Sequence, residues 1–213
     1  MAFIELMRQL FDATHHGEDT PQIQRAVELR DELSNDPNNI AAFEELASII
    51  KNAENDRNPA DPLTGERVTG ETSEPTTDPE LILYALSEEI GSDPRAWYPL
   101  VQLARLSGGN DAESARRFLE TAADRDESGL ALAEGLKLLR ETGQHDAAIQ
   151  LGLGRWQPQT QTPTVGEELV NAALEANKID EARGYVNILK DEGAPDEMID
   201  DLSLAIATMD EEN

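Results

Sequence analysis

Few side chains in this sequence stand at spacings that could do chemistry. The run from Asp124 to Gly135 sets Asp124, Asp126, Ser128 and Gly129 in the register of a calcium-binding loop. The closing bidentate acid, Glu134, falls one residue early, and residues 130–142 are also wanted as helix. His15 and His16 have no third ligand at a defined spacing, and His145 sits in a turn beside Asp146 with no nucleophile on a strained elbow to complete a triad. Gly152-Leu153-Gly154 starts like a dinucleotide loop, but no strand precedes it and the third glycine is missing. There is no phosphate loop and no HExxH, and with no cysteine there is no disulfide, thiolate metal site or thiol nucleophile. No metal or cofactor is therefore expected, and an enzyme has no constellation to stand on.

The elements that hold these residues read as helices throughout. Phe3, Leu6, Met7, Leu10 and Phe11 lie three and four apart, as one stripe of a helix. Thr20-Pro21 then reads as a cap with proline at the first helical position, followed by Ile23, Ala26, Val27, Leu29 and Leu33. Asp36-Pro37, Asp78-Pro79 and Asp93-Pro94 repeat that device. An Asp oxygen accepts from an exposed backbone N–H at a helix start, where proline has none to leave unsatisfied. These pairs are expected to open helices carrying Ile40, Phe43, Leu46, Ala47 and Ile50, then Leu81, Ile82, Leu86 and Ile90, then Trp97, Leu100, Val101 and Ala104. Between the first two of these lies a Pro-, Gly-, Thr- and acid-rich insertion at about 55–77 with little to bury, too long for an ordinary connection. Beyond Asp93 the expected helices run near 94–107, 111–125, 128–142, 145–155, 164–176 and 179–192, with a capping helix at about 196–209.

The last three pairs repeat. Gly109 to Gly143 is 34 residues, Gly143 to Asn177 another 34, and Ala148 to Ala182 again 34. Gly and Asn tolerate the left-handed C-cap, and the alanine five positions later lets two helices approach closely. Phe43, Leu46 and Ala47, then Trp97 and Leu100 behind Pro94, then Asn177 and Ala182 resemble the tetratricopeptide-repeat (TPR) family. In that pattern an aromatic or Leu stands at position four, Leu with Gly or Ala at seven and eight, Ala at twenty and often Pro at thirty-two. Gly152 falls where that pattern usually has a bulky residue. The resemblance covers about 21 to 193. It implies an all-α fold, one domain over 1–213, built as a right-handed superhelix of about ten or eleven helices in stacked antiparallel pairs.

The resemblance also implies where a partner would sit, because positions two, five, nine and twelve of each first helix face the concave groove. In one unit these are Arg95, Tyr98, Gln102 and Arg105. In the later units position nine becomes Lys137 and then Asn171, and position twelve becomes Arg140. A chain poor in cations thus sets Arg95, Arg105, Lys137 and Arg140 on one expected face, suited to an acidic peptide or a terminal carboxylate. The plainer account is that they are solvated surface cations paired with neighbouring acids. Tyr98 and Gln102 replace the Lys and Asn of the carboxylate clamp in chaperone-binding TPR domains, and Glu134 replaces the next Asn, so a chaperone tail is not the expected ligand.

Charge sets the remaining bounds. With 44 acids against 17 Lys and Arg the formal net charge is −27, which repels phosphate backbones and anionic membranes. The start of the chain lacks a basic region and an apolar run of signal-peptide length, so a cytoplasmic setting is expected. The use of 13 Arg against 4 Lys points to a GC-rich bacterial genome. The expected function is a non-enzymatic scaffold or adaptor that binds a protein or peptide partner, as a monomer or weak homo-oligomer. The alternative is an acidic decoy, a DNA mimic, that occupies a basic partner.

Overall fold

The computed structural model describes residues 21–57, 78–107 and 111–212. The stripe at Phe3 to Phe11, His15-His16, Thr20, Gly109 and most of the insertion lie outside them. Among the described residues there are ten α-helices and no strand: α1 (Pro21–Asn35), α2 (Ile40–Arg57), α3 (Pro79–Gly91), α4 (Tyr98–Ser107), α5 (Ala112–Arg125), α6 (Leu130–Glu141), α7 (His145–Arg155), α8 (Thr164–Glu175), α9 (Ile179–Asp191) and α10 (Asp196–Glu212). No helix among these residues is long and apolar enough to cross a membrane. The chain is all-α, built from adjacent helices packed in pairs, and its contacts gather into two compact units, 1–106 and 107–213.

In the first unit α1 packs on α2 and α2 on α3. Leu29 and Leu33, then Leu46 and Ile50, then Ile82 and Leu86 are fully buried at the spacing of single helical stripes. Each such side chain contributes about 1.5–3 kcal/mol by leaving water. The partly buried Arg30 of α1 reaches Glu89 of α3 with two guanidinium hydrogen bonds. Burial alone would raise the Glu89 pKa; charge-assisted hydrogen bonds, those of Arg30 among them, instead hold it below the usual range.

The Asp-Pro device works as expected only at Asp78, whose carboxylate accepts from Glu80 N at 2.9 Å with Pro79 opening α3. At Asp36 and Asp93 the helix does not begin at the proline. Each carboxylate instead closes a turn on the N–H two residues on, Asn38 at 3.1 Å and Arg95 at 2.8 Å. Each Asp carbonyl accepts from the third residue on, Asn39 and Ala96. The helices then start late, at Ile40 and Tyr98, and α2 takes Asn39 as its cap, with Ala42 N donating to the Asn39 amide oxygen at 3.1 Å. The 55–77 insertion also begins later than expected, since α2 runs on to Arg57.

In the second unit α6 packs on α5, α7 and α8, and α8 on α6, α7, α9 and α10. Alternate helices α6 and α8, and α8 and α10, therefore touch directly while α7 and α9 fill in behind. Leu132, Leu136, Val165, Leu169, Val170, Ala148 and Ala182 form the buried seam. The expected left-handed caps are present, with φ of 73° at Gly143 and 58° at Asn177. The residue after each donates back into the helix, Gln144 N to Leu139 O and Lys178 N to Ala173 O, both at 2.8 Å. α10 buries Leu202 and Ile206 on its stripe and leaves Leu204 68% exposed on another face.

Gly152, which stands in the middle of α7, has a local cause. A Cβ there would lie 2.5 Å from Leu169 Cδ2, because the fully buried Leu169 of α8 fills the space beside α7. Gly152→Ala is expected to destabilise by about 1–3 kcal/mol through overpacking, and Leu169→Ala in the same chain to relieve part of that loss. Chemical denaturation of the two single variants and the double variant measures both effects; strict additivity would contradict the close contact.

Candidate functional site

Within the first unit α2 and α4 flank a groove of about 650 Å³. Phe43, Glu44, Ala47, Ser48, Lys51 and Asn52 line it from α2, and Tyr98, Gln102 and Arg105 from α4. Its floor is aromatic. Tyr98 is 5% exposed and meets Phe43 edge-on at 5.5 Å and Trp97 edge-on at 5.7 Å. Above that floor stand one hydroxyl, two side-chain amides, one carboxylate and two cations.

The start of α4, and so the placing of Tyr98, depends on a residue far back in the chain. The Asn38 amide oxygen accepts from Trp97 N at 2.8 Å and Tyr98 N at 3.1 Å, while its nitrogen donates to Arg95 O at 2.9 Å. A helix start has unpaired N–H groups to satisfy, and here the cap arrives from the loop before α2.

Three of the residues expected from sequence therefore share this groove: Tyr98, Gln102 and Arg105. Arg95 does not line it. It stands in the turn before α4 and folds back on Asp93, with Nη2 at 2.7 Å from Oδ2 and Nε at 3.2 Å from Oδ1. That pairing raises the guanidinium pKa further. Glu44, Ser48 and Lys51 were missed, although the register that puts Phe43 at position four puts them at five, nine and twelve.

The other three expected residues belong to the second unit and sit among acids. Arg140 has only 20% of its side chain exposed and is held by Glu168 at 2.8 Å and by Glu175. Burial works against its charge, and the two carboxylates outweigh that and keep it protonated. Asn171 is half-buried on α8, and Lys137 is exposed on α6 without an ion pair among the described residues. On α8, burial, then the neighbouring Glu168, and further Asp201 of α10 raise the pKa of Glu167, with Arg140 pulling the other way. Acids outnumber cations around Glu167, and the half-buried Arg140 there is already engaged.

The remaining sequence candidates have structural employment. Asp126 gives one carboxylate oxygen to Ser128 N at 3.2 Å and Ser128 Oγ at 2.7 Å and the other to Ala131 N at 2.8 Å, which starts α6. Asp124 pairs with Arg155 at 3.0 Å. His145 Nδ1 lies 3.0 Å from Glu175 Oε2 but out of line for a hydrogen bond. Beside these candidates, Trp156 at the end of α7 packs edge-on to Tyr185 at 6.1 Å.

Two measurements follow. Asn38→Ala should cost about 1–2 kcal/mol, since it leaves two N–H groups at the start of α4 unpaired; an unchanged urea midpoint would mean that α4 caps itself. For Glu167, a raised pKa makes its contribution to stability complete below the ordinary carboxylate range, about pH 4, and lost as pH rises through the raised value. Glu167→Gln should thus melt higher than the parent at pH 7, with the gap closing on acidification. A gap that widens in acid would refute the assignment.

No protein-family model, curated protein or solved structure matches the chain, so what the groove can hold has to be read from its own side chains.

Proposed function

We propose that the protein is a non-enzymatic, TPR-like scaffold or adaptor that holds a segment of a partner protein in the groove between α2 and α4. One observation carries this. Lys51 is exposed on the groove wall and, among the described residues, enters no ion pair. Lys137 of the second unit is likewise unpaired among them, but Arg25, Arg30, Arg95, Arg116, Arg140, Arg155, Lys178 and Arg183 lie on carboxylates. With acids in such excess, a cation left beside an aromatic floor and side-chain amides is suited to a charge from another molecule. A cytoplasmic bacterial setting fits a chain with no cysteine to oxidise.

The net charge of −27 favours a second function, in which the negative surface of the chain occupies a basic partner. Affinity capture from the native host with the parent chain and with Lys51→Glu separates the two. The groove predicts that a specific partner, identified by mass spectrometry, is lost from Lys51→Glu and survives moderate salt. The decoy predicts a partner retained by Lys51→Glu and released as salt screens the surface. Full retention by Lys51→Glu would sink the groove function.

A further inference from the structure

The groove between α2 and α4 has a direction. Asn38 ties the loop before α2 to the start of α4, and Phe43 in the first turn of α2 meets Tyr98, the first residue of α4. The two helices therefore enter the groove together and run the same way along it. Glu44 lies beside this shared start. Lys51 and Asn52, two turns further along α2, face the same groove as Arg105 in the last turn of α4. Glu44 and Lys51 are seven residues apart, on one face of α2. That separation is about 10 Å along the helix axis. Both are exposed, and among the described residues neither enters an ion pair. Arg105 stands in the last turn of α4, where a cation is favoured by the helix dipole whether or not a ligand is bound, so Lys51, away from the ends of its helix, is the discriminating cation.

We propose that this groove reads charge order. Its occupant is a peptide segment of a partner protein with a carboxylate toward the Lys51–Arg105 end and a cation toward the Glu44 end. Gln102, Ser48 and Asn52 lie between or beside the two poles and can hydrogen-bond the segment's backbone. A segment laid in the opposite direction sets like charges against each other at both ends, which is how the groove would refuse it. This rests on the groove function proposed above and adds the chemistry of its ligand.

The test is to pan displayed random dodecapeptides against the full chain and to repeat the selection with Glu44→Lys/Lys51→Glu, which reverses the poles. Ser48→Trp, which fills the groove from an exposed position, reports whether a selected peptide binds there. The expected result is a set of peptides with an acid and a base about 10 Å apart in one order, blocked by Ser48→Trp. The reversed-pole variant should select the opposite order and bind the first set about tenfold more weakly. Peptides blocked by Ser48→Trp but without charge order would overturn this inference and leave the groove function standing. No enrichment, or peptides indifferent to Ser48→Trp, would overturn both.

Discussion

A helix cannot satisfy its own first N–H groups, and in this chain that shortfall helps join one helix pair to the next. α4 begins at Tyr98 after a turn that uses up the Asp93 carboxylate, so its leading N–H groups turn to Asn38, nearly sixty residues upstream. The same place in the second unit uses backbone alone: Thr162 N, in the loop before α8, donates to Ser128 O, in the loop before α6, at 2.8 Å. In both units the loop that opens one pair is hydrogen-bonded to the loop that opens the next. The apolar stripes bring the helices together without regard to direction, whereas these bonds fix which ends meet. The groove inherits its geometry from them, because Tyr98 and Phe43 face each other only if α2 and α4 start side by side.

The second constraint is the excess of acid. Its cost is visible where carboxylates crowd, as at Glu167, and its effect on the cations is to draw them into local pairs. Arg25 gathers Glu28, Glu32 and Glu45 around a single guanidinium. Such exposed pairs add little stability each, but they occupy the cation's donors. A face that looks basic in a list of residues can be neutral or acidic once its partners are counted.

What could be read from the sequence follows the range of each interaction. Most of the described helices, and the left-handed caps at Gly143 and Asn177 that stand thirty-four residues apart, depend on neighbours within a few residues and were legible. Asp36 and Asp93 were misjudged because an aspartate before a proline can cap a helix or close a turn, and the choice turned on the residues that follow. Gly152 was unreadable in isolation, since Leu169, which requires it, lies on the next helix. The engagement of Arg140 is invisible to its position alone, because its carboxylates come from residues 168 and 175, beyond any local pattern. The α2 wall of the groove was within reach of the register already applied to α4.

The two tryptophans divide between the two units. Trp97 lies edge-on to Tyr98 in the first, and Trp156 edge-on to Tyr185 in the second. The chain has no others, so replacing either one leaves an intrinsic fluorophore that belongs to a single unit. A chain whose contacts gather into two compact units need not melt in one step. Paired with a Phe replacement at the other position, each indole thus gives a separate optical record of its own half, and the difference between the two melting curves measures how strongly the halves cooperate.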